Sequence, residues 1–260
     1  MNDGERFDEE GSKRVRQEET LRLGLPFMRE MVRQRNEERA PYRISLAERA
    51  RSLESEEVLL ELKEQAKMMA DKLNKMIGNE PTREQLVEAR DLVRPELLAL
   101  ARGARAFSVH YRRPEPFRVG AAMLVLRKVA DGENPWAVMF DANTKVDKSG
   151  GASKDGKAWC AEQYLMDRID ESVAQVVTIA VAGEARTDDV SVLRGVQQIT
   201  LTPCAMCRDR LVYDERLAGE VPIIPKQTEV VTQDVNNLGL QKLQQVGDLH
   251  RFHGESVEVD

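Results

Sequence analysis

Residues 160–182 read CAEQYLMDRIDESVAQVVTIAVA, a helical segment at about Cys160 to Glu171 followed by a β-type apolar run from Val176 to Ala182. The run is rich in β-branched residues, the composition of a strand. Outward from this unit the β-type pattern recurs at Val119 to Val129, Trp136 to Phe140 and Val196 to Leu201, with shorter runs at Val221 to Ile224 and Glu229 to Thr232. A second helical segment covers about Cys204 to Glu215. Strands alternating with helices predict an α/β layered sheet that begins near residue 95.

Before residue 95 the chain reads as helical. Residues 1–12 are polar and aperiodic, the pattern of a frayed terminus. Ser12 to Glu38 is densely charged with few apolar residues, which suits a helix with a thin apolar stripe or a partly ordered arm. Ala40-Pro41 breaks that pattern. Ser45 with Glu48 three residues on makes a capping box for a long helix ending near Gly78. Leu53, Val58, Leu59, Leu62, Met68, Met69, Leu73 and Ile77 fall largely on one face, a stripe that suits core packing, with an oligomer or partner seam as the alternative. Pro81 and Thr82 open a further helix. Pro95 lacks an amide donor and clashes with the preceding turn, so it is expected to start a new helix. The predicted organisation is a helical N-terminal extension over 1–94 and the α/β sheet domain over 95–260.

The net charge is −6, and both the first hundred residues and the remainder are mildly acidic. Neither part carries the bulk positive field of a protein that lives on a phosphate backbone. The first residues have neither the cationic start nor the apolar stretch of a secretory signal, and no apolar run approaches the ~18 residues that cross a bilayer. The expectation is a soluble, cytoplasmic protein with no membrane partner.

Three cysteines are too few for a disulfide framework, and their placement is informative. Cys160 stands two residues before Glu162, and Cys204 and Cys207 form a Pro-Cys-x-x-Cys unit. Zinc prefers four tetrahedral nitrogen or sulfur ligands, and a catalytic site leaves one position for water. Thiolates of Cys160, Cys204 and Cys207 plus one water meet that count. Pro203 suits a chain entering a helix, where the helix dipole favours anionic sulfurs. A metal-bound water is acidified toward neutrality, but expelling a leaving group also requires a delivered proton. Glu162, beside a ligand and without a metal role of its own, is suited to carry it. The alternative is a closed structural site completed by His110, His250 or His253.

Four stretches then carry a resemblance: ELLALARGARAF (96–107), PFRVGAAML (116–124), CAE (160–162) and TPCAMCR (202–208). In order and spacing they resemble the leading helix, F-x-V-G-A-A strand, C-A-E helix start and P-C-x-x-C-R unit of the cytidine deaminase superfamily, including the blasticidin S deaminases. The first ligand here is Cys where many members carry His. The resemblance implies a three-layer α/β/α fold, zinc, and a homo-oligomer, dimer or tetramer. It implies a zinc hydroxide attacking C4 of a cytosine-type base in a nucleoside, nucleotide or related small molecule, with Glu162 protonating N3 and then the leaving amino group. Phe117 would lie beside the pyrimidine, or else be a core residue of the first strand; the Ala161 amide would meet the ring carbonyl, and the Thr202 carbonyl would receive the amino group. Asn143 looks like the start of the family's Asn-x-Glu ribose clamp.

Two departures stand out. Lys145 occupies the clamp's glutamate position, and Gln163 stands where many nucleoside deaminases have an arginine that offsets thiolate charge, while Arg208 keeps the other such position. The segment Asn143 to Lys157, NTKVDKSGGASKDGK, reads as a flexible loop running into Cys160. A lysine suits an anion, so Lys145, Lys148, Lys154 and Lys157 point to a phosphorylated substrate; an ordinary solvated loop is the plain alternative. Two rival functions are a deaminase acting on single-stranded DNA or RNA, disfavoured by the acidic balance and few aromatics, and a non-catalytic deaminase-like module that binds a partner. Replacing Lys145 and Lys148 with alanine is expected to raise the KM for a phosphorylated substrate, read from initial rates; an unchanged KM would remove the phosphate reading.

Overall fold

The computed structural model describes residues 29–34, 37, 44–110, 118–145, 158–184, 203, 205–213 and 223–249. Residues 29–34 are helical. After them come α1 (Leu46–Arg49), α2 (Leu53–Ile77) and α3 (Arg83–Ala104), a 3-10 turn at Arg105–Phe107, β1 (Val109–His110), β2 (Val119–Arg127) and β3 (Trp136–Ala142). They continue with β4 (Thr144–Lys145), β5 (Ala158–Trp159), α4 (Ala161–Asp167), β6 (Val173–Gly183), α5 (Ala205–Tyr213), β7 (Glu229–Asp234) and β8 (Asn237–Gln245). The five-stranded sheet has the order β3-β2-β6-β7-β8. Only its β6–β7 pair is parallel, so the sheet is mixed and the chain is of the α/β class. A second, three-stranded sheet of two-residue strands has the order β1-β4-β5. No helix among the described residues is long and apolar enough to cross a membrane.

Alternation along β2, and along β6 on either side of a bulge near Val177, divides the interior in two. Ala122 and Leu124 of β2, with Val177, Ala180 and Ala182 of β6, join Leu59, Leu62 and Leu73 of α2 and Val93, Leu97 and Ala101 of α3. Val119, Ala121, Met123 and Val125, with Val176, Ile179 and Val181, join Ala161, Leu165 and Met166 of α4 and Leu211 of α5. Side chains two apart share a face, so β2 feeds both clusters from one run. Each fully buried Leu or Met contributes roughly 1.5–3 kcal/mol.

The caps explain the helices. Ser45 and Glu48 form the expected reciprocal capping box, but the helix they open ends after one turn. Ala50 is buried with φ −89° and ψ 38°, off the helical region, and Ser52 caps α2 anew by accepting from the Ser55 amide. The single long helix predicted from Ser45 is therefore two. Of its stripe, Leu59, Leu62, Met69 and Leu73 are core, whereas Leu53, Val58 and Met68 are exposed. α2 stops at Gly78, whose φ of 88° suits glycine, and the Trp136 indole donates to the Gly78 carbonyl at 2.9 Å.

α3 runs unbroken through Pro95, against the expectation that a new helix starts there. An interior proline costs ~3 kcal/mol. Ala89 and Val93 before it and Leu97, Leu98, Leu100 and Ala101 after it are all buried on one face, and that shared burial keeps the axis continuous. Position 95 thus lies inside a helix.

The strands at Val119, Trp136, Val176 and Glu229 appear close to their predicted places, while Val196 to Leu201 lies outside the described residues. Ile223 and Ile224 bend instead of forming a strand, although the Ile223 carbonyl accepts from the Val176 amide. β8 was not anticipated.

Among the described glycines, Gly120 has the least room for a side chain. A Cβ there would overlap the Ala101 carbonyl oxygen and stand 2.5 Å from the Arg105 amide, so the end of α3 lies directly on the β2 backbone. Gly120→Ala is expected to destabilise by about 3 kcal/mol in urea unfolding. Gly132→Asn, at a turn with φ +86° and open space, should cost under about 1 kcal/mol.

Candidate metal centre

The helical start at residue 160 creates the first half of the site. Cys160 is the N-cap of α4, with φ −73° and ψ 150°, and its carbonyl accepts from the Gln163 and Tyr164 amides. Its sulfur takes no part in capping. Glu162, the second residue of the helix, is buried, and Cys207, the third residue of α5, is fully buried. Ligand atoms of Cys160, Glu162 and Cys207 lie within 4.8 Å of one another. Two thiolates on one tetrahedral zinc, with Zn–S of about 2.3 Å, would lie ~3.8 Å apart, so the donor set and its spread fit a metal ion.

Ala161 is buried at the first position of α4, where the helix itself makes no use of its N–H, and Pro203 is buried just ahead of α5. Asn143 is buried, and its side-chain oxygen accepts from the Ser108 hydroxyl at 2.6 Å and the Val119 amide at 2.7 Å, tying the 3-10 turn to the start of β2. Lys145 is no loop residue but half of β4, paired through the backbone with His110 and Ala158. Phe117, Thr202 and Cys204 lie outside the described residues, as do Lys148, Lys154, Lys157, His250 and His253.

Sequence reasoning missed what holds α4 in place. The Tyr164 hydroxyl shares a 2.9 Å hydrogen bond with Thr144 and accepts from the Ile44 amide at 3.0 Å. The Arg49 guanidinium lies 5.1 Å from the centre of the Tyr164 ring, donates to the Ala142 carbonyl at 2.7 Å and is paired with Asp141. Arg168 donates to the Phe140 carbonyl at 3.0 Å. The segment around α1 thus reaches the helix that carries Glu162. On the other side of α4, Arg210 of α5 is buried and reaches Gln163 and Asp167. Arg208, the anticipated arginine, is half-buried. The signal that could have found Arg210 is its place three residues beyond Cys207, on the same helical face.

A cavity of about 810 Å³ lies between α1, α2, β3 and α4, lined by Leu59, Trp136, Phe140 and Tyr164 among others. None of the three clustered residues lines it.

No protein family matches this chain, and neither a curated protein nor a solved structure matches it.

Burial pushes the Asp141 carboxyl above its ordinary value, against the opposing pull of Arg49 and the Ala142 amide. A carboxyl with a raised folded value binds its proton more tightly in the folded chain. Its contribution to stability is full below the unfolded value of about 3.9 and is lost as pH rises through the folded one. In urea unfolding, Asp141→Asn should therefore compare better with the wild type at pH 7 than at pH 4. Arg49→Met, which leaves the buried carboxylate without its cation, should cost about 3–5 kcal/mol at pH 7 and less at pH 4.

Proposed function

We propose that this chain is a zinc-dependent aminohydrolase of the cytidine deaminase type, built as a three-layer α/β/α domain. The observation that carries the reading is a buried carboxylate, Glu162, gathered with two thiols from separate helices into one cluster of metal-ligand size. Placing apolar clusters on alternate residues of β2 supports the layered arrangement. Cys160 and Cys207 would hold the metal, with Cys204 of the Pro-Cys-x-x-Cys unit as the third thiolate. When bound, zinc supplies the acidification that makes a water nucleophilic near neutral pH.

The chain's own groups do the rest. Glu162 moves protons between the attacking water, the ring N3 and the leaving amino nitrogen. Its burial keeps bulk water from competing for those protons. The Ala161 N–H, unused by its helix, donates to the ring carbonyl and orients the base. The net change is water plus a cytosine-type amidine giving a ring carbonyl and ammonia. The substrate is a cytosine-bearing nucleoside, nucleotide or related small molecule, handled by a cytoplasmic homo-oligomer.

A second reading has one observation in its favour: the Glu162 carboxylate lies within ligating distance of the thiols, as a ligand of a closed structural site would. Glu162→Gln separates the two. The catalytic reading expects full zinc content with ammonia release reduced about 10²–10⁴-fold, measured over cytosine, cytidine, deoxycytidine, their phosphates, blasticidin S and cytosine-bearing oligonucleotides. Loss of zinc from Glu162→Gln, with no ammonia from the wild type, would establish the structural site instead. Activity on oligonucleotides alone would move the substrate class to single-stranded nucleic acid.

A further inference from the structure

The metal cluster spans two helices that are distant in sequence, α4 with Cys160 and Glu162 and α5 with Cys207, and one side chain joins them. Arg210 stands three residues after Cys207, so both project from the same side of α5. Its side chain is 1% exposed. One guanidinium nitrogen donates to the Gln163 carbonyl at 3.2 Å, and the other forms an ion pair with the Asp167 carboxylate. Gln163 follows Glu162 directly, and Asp167 lies one turn further along the same helix. The guanidinium therefore grips a full turn of α4 immediately behind the cluster.

We infer that the Arg210–Asp167 pair is the positioning element of the metal centre, setting the separation between Cys207 and the Cys160–Glu162 pair. This rests on the reading of that cluster as a metal site. A planar fork with two fixed donor directions can define a distance between helices; an ammonium on a flexible stem cannot. The cationic charge of Arg210 is balanced locally by Asp167, so its influence on the metal runs through geometry. A role in neutralising thiolate charge would predict the opposite response to removal of Asp167, because an uncompensated Arg210 would then favour the anionic sulfurs.

That opposition supplies the test. Metal affinity is measured by chelator competition for zinc, and the centre is examined by cobalt substitution, in which thiolate-to-metal charge transfer reports sulfur ligation and the ligand-field bands report geometry. The variants are Asp167→Asn, Arg210→Lys and the double change Arg210→Met with Asp167→Leu, which removes the pair without stranding a buried charge and keeps the comparison open if a single variant fails to fold. Each folded variant is expected to bind zinc about 10- to 100-fold more weakly, with shifted cobalt bands. Wild-type affinity in Arg210→Lys and the double variant, or tighter binding by Asp167→Asn, would overturn the inference while leaving the metal site standing. A wild-type protein without a thiolate-to-cobalt band would overturn the metal reading and this inference with it.

Discussion

Burial of β2 and β6 on both faces is the constraint from which the arrangement follows. Every residue from Val119 to Val125 is buried, so neither face of β2 can carry a charge, and each must be matched in shape to a different layer of helices. Residues 119, 121, 123 and 125 face α4 and α5, and residues 122 and 124 face α2 and α3. A slip of one residue would exchange the two sets. Val119, Ala121, Met123 and Val125 would then meet the long helices, while Gly120, Ala122 and Leu124 met the site-bearing ones. The position of the Cys160–Glu162–Cys207 cluster thus follows from sheet register, because Ala161, Leu165, Met166 and Leu211 of the two helices that carry it all seat on the first of those faces. Gly120 serves the same end, since a side chain there would lift α3 from the sheet.

Polar groups inside this framework act as ties between distant segments. Arg49 joins the segment before α2 to Asp141 at the end of β3; Arg94 of α3 grips Glu229 at the start of β7; Arg210 joins α5 to Asp167 of α4. The cost of desolvating such charges cancels much of their attraction, so they contribute little net stability. What they do contribute is selectivity among arrangements. A helix docked one turn out of place would leave a buried arginine facing a buried apolar side chain. Tyr164 belongs to this scheme through its hydroxyl, which meets a threonine of β4 and the amide of Ile44.

The parts of the fold legible in the sequence are those set by local chemistry. The Ser45–Glu48 box and the start at Pro81 and Thr82 mark helix starts correctly because capping is satisfied within four residues. The runs at Val119 and Val176 mark strands because apolar residues dominate both, and the one polar residue of the second, Thr178, is itself β-branched. Where tertiary packing decides, local reading fails. Pro95 keeps its helix because burial before and after it outweighs the missing bond, and α1 ends because Arg49 is drawn onto Asp141 and Ala50 into the core. β8 was hidden for another reason: Leu238 and its neighbour at 240 are two apart, but Leu243 breaks the phase, and Leu238 and Leu243 are both exposed. In the site, Cys160, Glu162 and Cys207 were legible as donor types within short motifs, whereas Arg210 and Tyr164 carry no motif and act through contacts that only the fold creates.

The Cys-x-Glu spacing itself has a structural reason that the helix interior would forbid. Two residues separated by two positions within an α-helix project to nearly opposite sides and cannot share a ligand. Cys160 escapes that rule because it is the N-cap, in an extended conformation, so its sulfur does not follow the angular sequence of the helix it begins. Glu162, already helical, turns back over the same point. Lengthening α4 by one residue at its start would turn Cys160 into a helical residue and send its sulfur away from Glu162. The cap geometry, and with it the carbonyl of Cys160 accepting from Gln163 and Tyr164, is therefore what brings a thiol and a carboxylate to one place. Arg210 completes the arrangement by holding the carbonyl of Gln163, the residue at which α4 has just become regular, against the helix that brings Cys207.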